Sequence, residues 1–527
     1  MKILISDSLS QQGVELLEKA GFTVVVKSKL SKEDLFKEIK DADGLIVRSG
    51  TKVTAELIEA APQLKVVGRA GSGLDNVDTP AATRRGIVVM NTPGGNTVTT
   101  AEHTMSMICA MSRRIPQATA SIKAGKWEKD KFMGVELYNK VLGIVGVGQI
   151  GSHLTKLAQG IGMSVVAYDP YLAEERAQKM GVAMLPLDEL FKRADIISVH
   201  TPLTPETKGL INAKAISTMK PGVMIVNCAR GGIINEADLA EALKTKRVAA
   251  AAFDVFEEEP VKADNPLLAL DNFICTPHIG AQTAEAQENV AVGIAEQVVD
   301  YFTKGIARGA VNIPSVSPEL LPRLQPFLSL AEQLGKLQTQ LCEGGIERVT
   351  VEYSGEVASL SIAALTIAVL KGLLSPIMQA PVNYVNAPIV AKERGIEVKE
   401  VKSSDAGDFT SLIRVRVEAG KKSYQVAGTL YHKKDPRVVE IDQFNVEVVP
   451  EGHMLLILNV DRPGVIGMVG QVLGDNKINI VRMQCAIEKR GGNALLIIGS
   501  DTVFPDAVLN AIKSSKDILS VKVAALS

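Results

Sequence analysis

KVLGIVGVGQIG, residues 140–151, decides the fold: a strand-length apolar run ends at Gly146, Gly148 and Gly151, and an amphipathic stretch follows. Val141 to Val145 reads as a buried strand, and the segment after Gly148 as a helix. The G-x-G-x-x-G pattern therefore lies where a helix N-terminus, with its free N–H groups and positive dipole end, can meet a pyrophosphate. Gly146, Gly148, Gln149, Ile150 and Gly151 are expected to cradle it, and a bulky side chain at Gly148 would block the approach. The next strand, MSVVAYDP (163–170), ends in Asp169. Its carboxylate can accept hydrogen bonds from ribose hydroxyls and repel a 2′-phosphate, so NAD is expected as cofactor rather than NADP.

Outward from this motif the chain alternates apolar runs and amphipathic stretches. KILISD, FTVVV, GLIVRS, LKVVGRAG and GIVVMNT precede it; MSVVAYD, ADIISVH, GVMIVNC, VAAAAFDVF and NFICTPH follow it. Such alternation predicts an α/β protein with two Rossmann-like lobes built on parallel sheets. Prolines in VNIPSVSPELLP mark a change of domain near residue 315. From there to residue 450 helices mix with strand-like ERVTVEYSG and SLIRVRVEAG in an α+β intervening domain. Residues 451–527 read as strand (454–460), helix, strand (478–487), a Gly-Gly hairpin in KRGGN (489–493), strand, helix and strand. That βαββαβ order is ferredoxin-like.

Composition narrows the function classes. In 527 residues the formal net charge is −1, so no global field draws the chain to nucleic acid or an anionic membrane. Neither partner is expected, and an anionic ligand must meet locally placed Arg and Lys. No apolar run reaches the ~20 residues that span a bilayer. Five cysteines without C-x-x-C spacing point to free thiols in the cytoplasm and to no metal site.

GRAGSGLDNVD (68–78) also carries glycines after a strand, but Asp75 and Asp78 follow at once and would repel phosphate. The loop reads instead as one whose N–H groups, at Ser72 and Gly73, face a substrate carboxylate. NTPGGN (91–96), NCARGGIINE (227–236), AAFDVFEEEP (251–260) and CTPHIGAQT (275–283) complete the set. With them the chain resembles the D-isomer-specific 2-hydroxyacid dehydrogenases over residues 1 to about 310, and the phosphoglycerate dehydrogenases in particular. The resemblance implies that residues 282–314 return to residues 1–96 as a discontinuous substrate lobe around an NAD domain of residues 97–281. It also implies Arg230, Glu259 and His278 as the catalytic set. Oxidising a secondary alcohol needs a group titrating near neutrality, which His278 supplies, with Glu259 orienting it and raising its pKa. Arg230 would hold the substrate carboxylate and C2 oxygen. Ser72, Thr201, Cys228, Ala229, Arg230, Asp254, His278, Ile279, Gly280 and Ala281 are implied to line the cofactor, with Cys228 a small apolar neighbour rather than a reactive thiol. Arg48, Arg69, Ser72, Gly73, Asn96, Arg230 and His278 are implied to meet the substrate, 3-phosphoglycerate, the two lobe arginines gripping its phosphate.

Residues 454–527 resemble an ACT domain through LNVDRPGVIG and DNKINIVRMQ. Such domains pair across a dimer and bind small amino acids, which implies a homodimer or homotetramer with L-serine held by Asn459, Asp461 and Asn479. The segment before it resembles the intervening domain of long phosphoglycerate dehydrogenases; its Lys421, Lys422, His432, Lys433, Lys434 and Arg437 could hold a phosphorylated effector or form a solvated face. Two other readings stay open: a glyoxylate, hydroxypyruvate or lactate dehydrogenase with the same triad, and a non-catalytic NAD-sensing corepressor. Catalysis and inhibition are expected to be separable by truncation near residue 310 or 450.

Overall fold

The computed structural model describes residues 1–314, 319–488 and 492–526. The expected domain change at 315 and the centre of the KRGGN hairpin lie outside these residues. Strands Lys2–Ile5, Thr23–Val26, Gly44–Val47, Val66–Arg69 and Val88–Asn91 form a five-stranded parallel sheet in the order second, first, third, fourth, fifth. The Gly44–Val47 and Val88–Asn91 strands are buried throughout, which is why they read as unbroken apolar runs. Helix Ala284–Lys304 covers one face of this sheet: Val290, Ile294, Ala295 and Val298 pack with Ile3, Ile5, Ile46, Val66 and Val88. Thr283 caps its start by accepting the Ala286 N–H, and Gly305, at φ +68°, ends it. Asn312 then stitches the return, accepting the Val89 N–H at 2.9 Å and donating to the Ile87 carbonyl at 2.8 Å. The first lobe is thus closed by residues from the far end of the catalytic region.

Between these pieces lies a seven-stranded parallel sheet. From Val141–Val145 it runs outward one way through Ser164–Tyr168 to Ala183–Met184, and the other way through Ile196–Val199, Val223–Asn227 and Val248–Phe253 to Phe273–Cys275. The order reverses beside the first of these strands, so the fingerprint turn lies at the topological switch point where doubly wound sheets take ligands. Helix Thr97–Ser112 packs on this sheet through Ala101, Met107, Ile108 and Met111.

Beyond residue 319 a six-stranded mixed sheet, with neighbours both parallel and antiparallel, carries helices Leu321–Leu341 and Ile362–Leu374 on one face. The last sheet, four-stranded and antiparallel, has the ferredoxin-like order second, third, first, fourth. Its second strand begins only at Arg482, not at residue 478 as the sequence pattern suggested. Each face of this sheet has its own covering. Leu455, Ile457, Leu496 and Ile498 pack on its own helices, Val465–Asp475 and Asp506–Lys513. Met454, Leu456, Leu495, Ile497, Ala524 and Leu526 instead share one core with Leu330, Leu334, Leu337 and Leu341 of helix Leu321–Leu341. Gln340 reinforces the joint by donating to the Ala525 carbonyl and accepting its N–H. The terminal unit therefore has no separate interior on that side.

Candidate active site

Every catalytic candidate follows the carboxyl end of a parallel strand, the edge at which open α/β sheets place their chemistry. Arg48 follows Gly44–Val47, Arg69 ends Val66–Arg69, Arg230 follows Val223–Asn227, Glu259 lies beyond Val248–Phe253, and His278 beyond Phe273–Cys275. Arg48, Arg69, Asn96, Asp254, Glu259, His278 and Ala281 together line a cleft of about 530 Å³ between the lobes.

His278 Nδ1 lies 2.7 Å from Glu259 Oε2. The hydrogen bond to Glu259 raises the imidazole pKa above its ordinary value, with burial opposing and the Asp254 charge assisting. Burial pushes the Glu259 carboxyl up, but the His278 bond and the Phe256 N–H outweigh it and leave the group below its usual range. The acidic run divides by role: Glu257 and Glu258 make exposed ion pairs with Lys208 and Lys262, while Glu259 turns inward.

His278 has φ +54°, a left-handed conformation that costs a side chain with a Cβ roughly 1–3 kcal/mol. Asp254 holds that turn. It is 1% exposed, its backbone carbonyl accepts the His278 N–H at 2.9 Å, and its carboxylate accepts the N–H groups of Ile279 and Gly280, each at 2.8 Å. Burial raises its pKa, and hydrogen bonds from His103, Thr276 and these amides bring it below the ordinary value. Asp254 thus faces the catalytic turn as much as the cofactor space that the sequence reading gave it.

Arg230 Nε pairs with Asp75 Oδ2 at 3.0 Å across the two lobes, and its Nη1 donates to the Ala229 carbonyl at 2.7 Å. A Cβ at Gly73 would collide with Arg230 Nη2, so only glycine leaves that guanidinium its place. Arg69 is largely buried: desolvation lowers its pKa, and the charges of Arg230 and Arg48 act the same way. Its Nε is buried without a hydrogen-bond partner among the described residues. Ser72 donates to Asn96 Oδ1 at 2.7 Å, which joins the 68–78 and 91–96 loops.

The fingerprint fits a dinucleotide. Gly146 has φ +96°, and a Cβ there would lie 2.6 Å from the His200 carbonyl oxygen, whereas beside Gly148 there is open space. Thr201 Oγ1 is buried next to Gly146 with no partner among the described residues. Asp169 accepts the N–H groups of Val147 and Tyr171, which sets its carboxylate against the turn. Burial pushes the Cys228 thiol up to about 12, so it is inert at neutral pH. The effector candidates lie apart from the cleft: Asn459 and Asp461 at the end of strand Gly452–Val460, Asn479 in the loop after helix Val465–Asp475. Asn459 is 4% exposed and its Oδ1 has no partner among the described residues.

The sequence reading missed Asp75 as the partner of Arg230, and His103 and Thr276 behind the His278 turn. Asp75 was visible as an acid next to a ligand loop; nothing in TAEHTMS set His103 apart.

Three family models match the chain: "D-isomer specific 2-hydroxyacid dehydrogenase, NAD binding domain" over residues 105–280, "D-3-phosphoglycerate dehydrogenase intervening domain" over 323–442, and "ACT domain" over 453–516. D-3-phosphoglycerate dehydrogenase of Methanocaldococcus jannaschii is 46% identical over 524 residues, covering 99% of both chains. The Bacillus subtilis protein of that name is 43% identical over 522 residues, again with 99% of each covered. Among solved structures, NAD-bound 3-phosphoglycerate dehydrogenase of Entamoeba histolytica aligns at TM-score 0.51 and 35% identity, over 60% of this chain and 99% of that one.

Proposed function

As a member of the D-3-phosphoglycerate dehydrogenase family, the chain catalyses NAD-dependent oxidation of 3-phospho-D-glycerate to 3-phosphohydroxypyruvate, the entry to L-serine synthesis, and we propose that His278, Glu259 and Arg230 carry the chemistry. NAD, when bound, supplies the acceptor for the C2 hydride. Gly146, Gly148, Gln149, Ile150 and Gly151 would hold its pyrophosphate, Asp169 its ribose, and Thr201, Cys228, Ala229, Asp254, Ile279, Gly280 and Ala281 the rest. Because Nδ1 of His278 faces Glu259, Nε2 is the atom left to take the C2 hydroxyl proton. Glu259 then stabilises the imidazolium that forms. Arg230, kept on station by Asp75, engages the carboxylate and C2 oxygen beside the N–H groups of Ser72 and Gly73. Arg48 and Arg69 grip the phosphate, with Asn96 at the cleft wall.

The observation that carries this reading is the His278–Glu259 pair opening on a cleft that also holds Arg48 and Arg69. NADH formation with 3-phosphoglycerate, D-glycerate and D-lactate tests it. Each lost bond to a charged group is worth about 1.5–3 kcal/mol, so removing the phosphate is expected to lower kcat/KM at least ~100-fold. Equal turnover of glycerate would overturn the phosphate assignment.

The ACT domain points to regulation by a small ligand. We propose L-serine as that ligand, with Asn459, Asp461 and Asn479 as its polar contacts in a paired homodimer or tetramer, supported by the unsatisfied buried amide oxygen of Asn459. Serine titration of wild-type and Asn479→Ala enzymes tests this; equal inhibition of both refutes the site. No described helix is long and apolar enough to cross a membrane, and all five cysteines are free thiols, in keeping with the cytoplasm as the proposed location.

A further inference from the structure

We propose that His103 is a positioning residue for the dehydrogenase reaction, holding the Asp254–Thr276 pair against helix Thr97–Ser112 and so fixing the turn from which His278 reaches the substrate. His103 Nε2 lies 3.1 Å from Thr276 Oγ1 and 3.4 Å from Asp254 Oδ1. Thr276 Oγ1 already donates its hydrogen to Asp254 Oδ1 at 2.6 Å, and the carboxylate can only accept. Both neighbours of Nε2 are therefore acceptors, and Nε2 carries the hydrogen. The same Oδ1 accepts the Ile279 N–H, while Oδ2 accepts that of Gly280. His103 thus completes the set of donors around a carboxylate that is sealed from water.

One helix thus touches the 68–78 loop, the fingerprint and the base of the His278 turn. Asn96, at its N-cap, accepts from Ser72 of the carboxylate loop. Thr97 donates to Gln149 of the fingerprint at 3.0 Å. His103, under two turns further on, reaches the base of the catalytic turn. Relative motion of the substrate loop and the fingerprint is in this way tied to the orientation of His278. Loss of the Nε2 donor removes one of four hydrogen bonds to the Asp254 carboxylate and the contact of Thr276 with the helix, which loosens the left-handed turn at His278. Misplacement of a catalytic group by ~1 Å is enough to cost on the order of 10²-fold in rate.

The proposal rests on His278 as the acid/base, and the test separates the two. Full-length His103→Phe keeps a ring but no donor; His103→Gln returns an N–H near the Nε2 position; His103→Asn stops a carbon short. Steady-state NADH formation is measured across pH, beside NADH-fluorescence titration and thermal unfolding. In His103→Phe and His103→Asn, kcat is expected to fall ~10–100-fold with KM for phosphoglycerate within ~3-fold. Glu259, Asp254 and Arg230 are the charged groups facing His278. As His278 loses its contact with Glu259, the acid limb of kcat/KM should move to lower pH. His103→Gln should restore both kcat and the limb. An unimpaired Phe variant, a Gln variant as impaired as Phe, or a loss confined to melting temperature or NADH affinity each overturns the role of His103. His278→Ala run alongside guards the premise: full turnover there refutes the acid/base assignment itself.

Discussion

Replacing Glu259 by Gln keeps the shape of the side chain and an acceptor for His278 Nδ1 while removing the charge, so it isolates what the carboxylate contributes. A hydrogen bond to a charged group is worth about 1.5–3 kcal/mol against about 0.5–1.5 for a neutral one. The His278 and Glu259 side chains are 51% and 38% exposed, so solvent screening places the difference near the low end, about 1 kcal/mol. The sign follows from the direction of the shift. The folded-state pKa of His278 is raised, the neutral imidazole is the base for alcohol oxidation, and activity therefore climbs with pH through that pKa. Without the carboxylate the pKa falls, and the acid limb of kcat/KM moves to lower pH with it. The imidazolium formed in the transition state loses the same stabilisation, so plateau kcat is expected to fall ~5-fold. Stopped assays of NADH at saturating NAD across the pH range read both quantities. A stationary limb, or a plateau within ~2-fold of wild type, refutes the pairing as the source of the base strength.

Asp169→Asn should narrow the preference for NAD over NADP, measured as the ratio of kcat/KM values; an unmoved ratio removes Asp169 from the ribose. Burial holds the His200 pKa at about 4 against an ordinary 6.5. The unfolded chain then binds the extra proton, so stability is whole above pH 6.5 and declines as pH falls toward 4, by about 3 kcal/mol. His200→Gln should flatten this slope in urea unfolding at several pH values, and identical slopes would sink the assignment. A chain ending after Pro314 should remain folded and oxidise phosphoglycerate without responding to serine. Ending it near 450 should instead produce aggregation in size-exclusion chromatography, because helix Leu321–Leu341 loses its partners in the last sheet. A monodisperse, active 1–450 chain would contradict the shared core.

Truncation also marks where sequence reasoning stopped. The fingerprint, the strand-end positions of Arg230, Glu259 and His278, and the βαββαβ order were legible because each is a local pattern: a period, a glycine spacing, an apolar run closed by a polar residue. Asp75 and Arg230 are 155 positions apart, and His103 and Thr276 are separated by 173. No periodicity within one segment reports on a hydrogen bond between two. The return of residues 282–314 to the first lobe came from resemblance alone, because the bonds of Asn312 to Val89 and Ile87 join segments more than 200 positions apart. The common interior of the last two units was hidden for a related reason. Alternation along strand Gly452–Val460 shows that both faces are apolar, but not whose helix covers each.

The discontinuity of the first lobe also sets an order on synthesis. Its five strands are complete by Asn91, yet the helix that seals Ile3, Ile5, Ile46 and Val66 begins only at Ala284. At about 5–20 residues per second, translation of the NAD domain in between takes on the order of 10–40 s. Throughout that interval only helix Gln11–Lys19, through Val14 and Leu17, is at hand to cover part of that apolar face. The nucleotide domain, continuous in sequence, can mature first and act as the template on which the waiting sheet is finally closed.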